Sequence, residues 1–176
     1  TFCALSIIYR DIKPDNIGFD VRGDVKFFDF GLAREFDPET IDKDGTYKLT
    51  ADTGSPRYMA TEVALAKPYN ESCDVYSFCI LLWQILNLET PFDGYTMNMF
   101  TKKVIKAGTR PMCDPKWPEK ISKVMKLGWG ASLKDRPSME EICAILREEI
   151  QSNTDEEVDL IMDASRKSEI SLHLGF

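Results

Sequence analysis

Histidine is almost missing from this chain: His173 is the only one among 176 residues, and it stands close to the C-terminus. Nucleophile activation by an imidazole is thereby excluded from the body of the sequence, and with it the Ser–His and Cys–His hydrolase arrangements. Cysteine is sparse and unpatterned. Cys3, Cys73, Cys79, Cys113 and Cys143 are odd in number and show no Cys-x-x-Cys spacing, which indicates neither a zinc site nor a disulfide framework and fits reduced thiols. No apolar run approaches the roughly 18 residues of a membrane span, and no charged-then-apolar leader opens the sequence. Cytosol or nucleus is the expected location. Positive charge is also in short supply, with 22 Lys and Arg against 29 Asp and Glu, a net −7. That balance argues against nucleic acid as the main partner, because phosphate binding needs a concentrated basic surface.

What is present suits one globular domain: 43% hydrophobic and 29% charged residues suffice for a core and a solvated surface. The apolar pattern supports a folded unit over residues 1–150. Residues 151–176 are polar and acidic, with only a weak apolar pattern at 158–162, and are expected to form a flexible tail. Within the unit, short apolar runs at 7–8, 17–19 and 25–28 read as small strands, the last two separated by Arg22-Gly23-Asp24. Residues 36–51 lose the apolar pattern and read as a mobile surface segment. Helices are expected at 72–88, 97–107, 121–127 and 138–150, the first apolar on nearly every face, the last opened by a Ser138/Glu141 capping box. Asn70-Glu71-Ser72 matches a glycosylation acceptor, a triplet frequent by chance. Phe92, Tyr95, Met97, Met99 and Phe100 fit the packing of a surface helix better than a docking surface.

The chemistry concentrates in two short stretches, Tyr9-Arg10-Asp11-Ile12-Lys13-Pro14-Asp15-Asn16 and Asp29-Phe30-Gly31. Phosphoryl transfer asks for a group to orient the attacking hydroxyl, hard oxygen ligands for magnesium, and positive charge on the moving phosphate. Asp-x-Lys-x-x-Asn supplies one of each. Asp11 is ionised at neutral pH and able to take a hydroxyl proton late in the reaction. Lys13 can reach the transferring phosphate, while Asn16 and Asp29 offer a neutral and a charged oxygen to magnesium. The intervening strand, turn and returning strand would bring Asn16 and Asp29 together.

With these residues the chain resembles the eukaryotic protein kinases, Tyr9-Arg10-Asp11 standing where the family has its His-Arg-Asp loop and Asp29-Phe30-Gly31 as its magnesium loop. Downstream, Gly54-Ser55-Pro56-Arg57-Tyr58-Met59-Ala60-Thr61-Glu62 resembles the end of an activation segment, Asp74-Val75-Tyr76-Ser77-Phe78 the start of the large central helix, and Arg136-Pro137 the arginine late in the lobe. The resemblance implies an α+β fold, specifically a kinase-like C-terminal lobe, mainly helical with a small antiparallel β-hairpin region. It implies that Glu62 and Arg136 form a buried ion pair and that Asp74 holds the backbone of the Tyr9–Asp11 loop. Tyr9 would stack on Phe30. Arg10 would pair with a phosphate on the activation loop, for which Thr50 and Thr53 are the candidate acceptors, with Thr46 behind them. Ser55 would hydrogen-bond the catalytic Asp11 and Lys13, which favours serine or threonine over tyrosine as acceptor. The closest look is that of the tyrosine-kinase-like group, which mostly phosphorylates Ser and Thr.

Several positions depart from the family pattern: Tyr9 for His, Thr61 for the Pro of Ala-Pro-Glu, and Cys79 for the Gly usual after Ser-Phe. Gly18 falls where the family usually places a larger apolar residue under the adenine ring. The sequence contains no Gly-x-Gly-x-x-Gly loop and no preceding strand lysine or helix glutamate, so the N-terminal lobe is absent from it. The implied function is that of a protein serine/threonine kinase fragment using ATP and Mg2+, with a Ser/Thr-bearing protein as substrate and the missing N-terminal lobe of the same polypeptide as partner. The isolated chain is expected to be inactive and poorly soluble. A non-catalytic C-lobe that binds or scaffolds a partner is the alternative.

Overall fold

A computed structural model describes residues 6–152; the tail expected at 151–176 and Cys3 therefore lie almost wholly or wholly outside the described residues. Four short strands come first: β1 (Ile7–Ile8), β2 (Ile17–Phe19), β3 (Val25–Phe27) and β4 (Arg34–Glu35). Helices follow: α1 (Thr61–Ala64), α2 (Ser72–Asn87), α3 (Met97–Met99) running into a π-helical stretch (Phe100–Lys106), α4 (Glu119–Gly128) and α5 (Met139–Ser152). The strands make two antiparallel pairs. β2 and β3 form the hairpin, with Ile17 opposite Phe27, Gly18 opposite Lys26 and Phe19 opposite Val25, whereas β1 pairs with β4. Asp20 closes the hairpin turn, its carboxylate accepting from the Arg22 and Asp24 amides at 2.8 and 3.0 Å, while Gly23 takes the left-handed conformation at φ 83°.

Helix α2 is the axis of the helical part. From Cys73 through Trp83 all but one of its residues are buried, as its apolar pattern predicts, and only the last turn turns Ile85 and Leu86 to solvent. Asn70 caps its start, its side-chain oxygen accepting from the Ser72 amide at 3.1 Å and the Ser72 hydroxyl at 2.6 Å. The Asn70 amide nitrogen donates to the Gly45 carbonyl at 2.8 Å, so the apparent glycosylation triplet is explained by a cap. At the other end Leu88 adopts φ 56° and returns its amide to the Gln84 carbonyl, a left-handed stop made without glycine.

Helix α4 packs on α2 at a contact that joins two unusual residues. A β-carbon on Gly128 would overlap the Cys79 thiol far inside van der Waals contact, so the bare glycine provides the room that Cys79 fills. Both are buried, and burial pushes the Cys79 thiol up to about 12. Helix α5 begins with the reciprocal capping box: the Ser138 amide donates to Glu141 at 2.7 Å and the Glu141 amide to the Ser138 hydroxyl at 3.1 Å.

Three elements differ from expectation. Residues 97–107 do not form one α-helix: after a single turn capped by the Thr96 hydroxyl the chain widens, and the Ala107 amide reaches back five residues to Lys102 at 3.1 Å. The Met97 carbonyl is taken by the Thr101 hydroxyl at 2.9 Å, and the wide turn still buries Phe100 and Val104. Phe92 packs its edge on Phe100, ring centres 5.4 Å apart, so this aromatic group serves packing. In residues 36–51, expected to be a mobile surface segment, most residues are exposed, but two aromatic anchors that were not expected join the segment to the body. Phe36 and Tyr47 lie with ring centres 5.0 Å apart, and Tyr47 bridges to Tyr69 through paired backbone bonds. Finally, β4 was not expected, because Arg34-Glu35 is too short and too charged to show a pattern. Among the described residues no helix is long and apolar enough to cross a membrane.

The fit between α2 and α4 generates a prediction. Gly128→Ala should destabilise the fold by about 1–3 kcal/mol through overpacking, and Cys79→Ala in the same chain should return most of that loss. Urea unfolding of the two single variants and the double measures it; strictly additive losses would contradict the contact.

Candidate active site

Helix α2 reaches the site through its first turn. Asp74, buried there, accepts the Tyr9 and Arg10 amides on its two oxygens, each at 2.7 Å. Two main-chain donors on one carboxylate hold the loop between β1 and β2 in place, and Arg10 within it sits at φ 70°. Burial raises the Asp74 carboxyl to about 6, against the opposing pull of those two amides. Tyr9 ties the same loop to the end of the hairpin. Its hydroxyl bonds the Phe28 carbonyl, and its ring meets Phe27 and Phe30 edge-on, with centres 5.1 and 5.4 Å away, so the contact with Phe30 is edge-to-face rather than stacked. Burial, with the Asp11 and Asp29 charges nearby, lifts the Tyr9 phenol to about 12, which keeps it a neutral donor.

Asp11 is the hub. One of its oxygens accepts the Ser55 amide at 2.8 Å; the other receives the Lys13 ammonium at 2.8 Å and the Asn16 side-chain amide at 2.9 Å. Lys13 also donates to the Ser55 hydroxyl at 2.9 Å, and Asn16 to the Asp11 carbonyl at 2.9 Å. Burial opposes charge on Asp11, yet the donors from Lys13, Ser55 and Asn16 outweigh it and hold the carboxyl below its ordinary range. The four residues converge from two distant stretches of chain. Asp11 is thus an ionised, fully oriented acceptor at neutral pH, with a cation beside it.

Asn16 and Asp29 are adjacent because the Phe28 amide donates to the Asn16 carbonyl at 2.8 Å. The Asn16 nitrogen is committed to Asp11, which leaves its oxygen as the atom able to ligate a cation. Asp29 is exposed at φ 50°, one oxygen accepting the Gly31 amide at 3.1 Å. An amide oxygen and a carboxylate are a donor set suited to magnesium, which keeps several non-protein ligands. Among the described residues there is no group of three or more His, Cys, Asp or Glu placed to hold a metal. A metal here would need further ligands from outside these two residues.

Ser55 arrives at Asp11 on a segment anchored further along. Glu62 in α1 and Arg136 before α5 form a bidentate pair at 2.6 and 2.8 Å, both buried. Arg136 spends its other donors on the Gly130 carbonyl, at 3.1 and 3.0 Å, and on the Ser72 carbonyl at 2.9 Å. Arg10 is buried too. Its guanidinium donates to the Leu32 carbonyl at 2.7 Å and the Tyr69 hydroxyl at 3.0 Å, and Tyr69 donates onward to the Thr50 carbonyl at 2.8 Å.

The three threonines separate clearly. Thr50 is exposed; Thr53 is buried, its hydroxyl directed to the Thr50 and Ala51 carbonyls at 3.2 and 3.0 Å. Thr46 is buried as well and bonds Asp42 at 2.7 Å. Thr53 and Thr46 are therefore shielded in this conformation, each hydroxyl closing its own turn, and of the three candidate acceptors Thr50 is the exposed one. Sequence reasoning also missed Gly54. At φ 103° it brings its α-carbon so close to the Arg10 carbonyl that a β-carbon would overlap it, and that approach is what lets the Ser55 amide reach Asp11. Only the glycine itself hinted at it. Tyr69 was missed because nothing in its neighbourhood marks a polar partner.

Comparison with known proteins gives the family. A family model described as protein tyrosine and serine/threonine kinase matches residues 4–146, and the chain belongs to that family. It is 33% identical over 152 residues to the serine/threonine-protein kinase STY17 of Arabidopsis thaliana, covering 86% of this chain and 25% of the relative. It is 35% identical over 136 residues to the putative serine/threonine-protein kinase/receptor R818 of Acanthamoeba polyphaga mimivirus, covering 77% of this chain and 8% of the relative. The dual specificity protein kinase shkB of Dictyostelium discoideum is 33% identical over 141 residues, 79% of this chain and 21% of the relative. The chain spans a quarter or less of the length of these relatives.

Two outcomes follow from the buried geometry. Folded Asp74 keeps its proton up to about pH 6, whereas an unfolded aspartate releases it near pH 4, so the folded state binds the extra proton between these values. Wild-type stability relative to Asp74→Asn should fall as pH rises through that window, by up to about 3 kcal/mol, and level off above it. Urea midpoints across pH 4–8 test this; a flat difference would contradict it. Gly54→Ala should cost about 1–3 kcal/mol through strain at a positive φ, and proteolysis within the 50–60 segment should accelerate relative to wild type.

Proposed function

We propose that this chain carries the acceptor-side and magnesium-binding half of a protein serine/threonine kinase site, the C-terminal lobe of a two-lobed enzyme. The observation that carries the reading is the convergence of Lys13, Asn16 and Ser55 on Asp11. In this role Asp11 accepts the hydrogen bond of an incoming hydroxyl and takes its proton as the phosphorus–oxygen bond forms. Lys13, balanced between Asp11 and Ser55, places positive charge where the transferring phosphoryl group passes. Asn16 and Asp29 would hold Mg2+, which would supply positive charge against the ATP phosphates. The 2.9 Å bond between Lys13 and Ser55 supports a serine or threonine acceptor, since it fixes the segment beside Asp11 in a closed position.

A second unit of the same polypeptide, the N-terminal lobe, is the proposed partner. Supporting it, the hairpin end of the molecule leaves the apolar side chains of Phe19, Val25, Phe28 and Phe30 exposed. Thr50 is the proposed accessible acceptor for an activating phosphate, linked through Tyr69 to the buried Arg10. The substrate is a protein bearing Ser or Thr, and the location cytosol or nucleus.

The test is phosphate transfer from labelled ATP to Ser, Thr and Tyr peptides by the full-length natural polypeptide. Label should appear on Ser or Thr, and Asp11→Asn should lower the rate by about 10²–10⁴-fold. Residues 1–176 alone should transfer nothing measurable, because the contacts to the α- and β-phosphates are missing. No transfer by the full-length protein, with protein binding unaffected by Asp11→Asn, would favour the scaffold reading instead.

A further inference from the structure

Residues 35–49 fold back on themselves and leave a cavity of about 420 Å3 between their two arms. Glu35, Phe36, Asp37 and Asp42 line it from the outgoing arm, and Tyr47, Lys48 and Leu49 from the returning one. Both arms are held. The Phe36 amide donates to the Ser6 carbonyl at 2.9 Å, the Asp42 amide to the Thr46 carbonyl at 3.0 Å, and Tyr47 exchanges backbone bonds with Tyr69 at 2.8 and 3.2 Å. A water molecule takes up about 30 Å3, so the space is far larger than a hydration site needs and falls in the range of small-ligand pockets. Phe36, Tyr47 and Leu49 give it an apolar floor, the two rings 5.0 Å apart between centres. At the rim the exposed carboxylates of Glu35, Asp37 and Asp42 stand against the single ammonium of Lys48.

Tyr47 supplies the observation that points to a ligand. The residue is only 6% exposed, yet its hydroxyl has no hydrogen-bond partner among the described residues, and unlike the sealed Tyr76 hydroxyl it keeps access to solvent. The cavity that Tyr47 lines is the space open to it. Burial raises the phenol, and the charges of Glu71 and Asp37 raise it further, so its oxygen is a neutral acceptor set among carboxylates. The carboxylates themselves are available. Glu35 and Asp37 form no ion pair among the described residues, and hydrogen bonds from Thr46 hold the Asp42 carboxyl below its ordinary range, which keeps its charge. An acceptor without a donor, two aromatic faces and unpaired negative charge together suit a flat cation on an apolar stem.

We propose that this cavity is a binding site for an alkylguanidinium group, the side chain of an arginine. The guanidinium donates to Asp37, Glu35 and the Tyr47 hydroxyl oxygen, its plane lies against the Phe36 and Tyr47 rings, and its stem covers Leu49. An ammonium would meet the charge but offers no plane to the rings. An anion would be repelled by the rim. The assignment is independent of the kinase reading, since none of the residues lining the cavity belongs to the cluster around Asp11.

Calorimetry on the full-length natural polypeptide tests this with a capped Ala-Ala-Arg-Ala-Ala peptide, the same peptide with citrulline in place of arginine, and agmatine. The arginine peptide should bind about tenfold or more tighter than its neutral citrulline counterpart, and should slow amide exchange across residues 36–49. Glu35→Gln with Asp37→Asn should weaken it about tenfold, and Tyr47→Phe, which keeps the ring and its packing, about threefold. Glu89→Gln with Glu148→Gln, the same charge change at exposed positions outside the cavity, should leave the affinity unchanged. Tighter binding of the peptide than of agmatine assigns the site to an arginine carried on a protein, and equal binding to a free alkylguanidine. Equal affinity for the two peptides, no binding of any probe, or equal losses in the cavity and control pairs would overturn the assignment and leave the kinase reading untouched.

Discussion

A guanidinium taken out of water must find a partner for each of its N–H groups, and Arg136 does so completely. Two donors go to Glu62, two to the Gly130 carbonyl and one to the Ser72 carbonyl. Through one side chain the end of the segment that carries Ser55, the first residue of the central helix and the approach to α5 are brought together. Removing either partner would strand the other's charge in the interior, a loss on the order of 3–5 kcal/mol. The Tyr76 ring completes the setting, lying 5.4 Å from Arg136 and 5.0 Å from Arg110. Everything that positions Ser55 against Asp11 hangs on this buried knot.

From it, order passes to the site along two routes. Asp74 sits two residues beyond Ser72 and hands the rigidity of α2 to the Tyr9–Asp11 backbone. Glu62 fixes the downstream end of the segment that carries Gly54 and Ser55. The two routes meet at Asp11, whose carboxylate accepts a main-chain amide from one and side-chain donors from the other. The site is therefore assembled between two loops, and neither loop is held by its own secondary structure. That is why a four-residue helix such as α1 matters here: it is an anchor for an ion pair, with little stability of its own.

Much of the proposed site was legible in the sequence because the phosphoryl transfer proposed for it restricts residue type as well as spacing. Asp11, Lys13, Asn16 and Asp29 each answer a chemical need that few side chains meet. Helices α2, α4 and α5 were legible from apolar periodicity and, for α5, from a capping box whose two hydrogen bonds are both present. What escaped notice depends on pairs of residues remote in sequence. Gly54 against the Arg10 carbonyl and Gly128 against Cys79 are both absences matched to a distant presence, and one sequence does not display the match. The anchoring of residues 36–51 was missed for a related reason, since two aromatic rings among polar residues make no periodic pattern. The widened turn after α3 reflects competition for a carbonyl by the Thr101 hydroxyl, an effect below the resolution of propensity arguments.

The interlock of Cys79 with Gly128 has a consequence beyond packing. A thiol with no solvent exposure and an ionisation near 12 has neither the access nor the thiolate that alkylating and oxidising reagents need. It becomes reactive only when α2 and α4 part, an event that dismantles the core. The chain thus contains its own clock for opening: the rate at which this one sulfur is labelled counts excursions of the helical bundle and is blind to the fluctuations of the loops that hold the site.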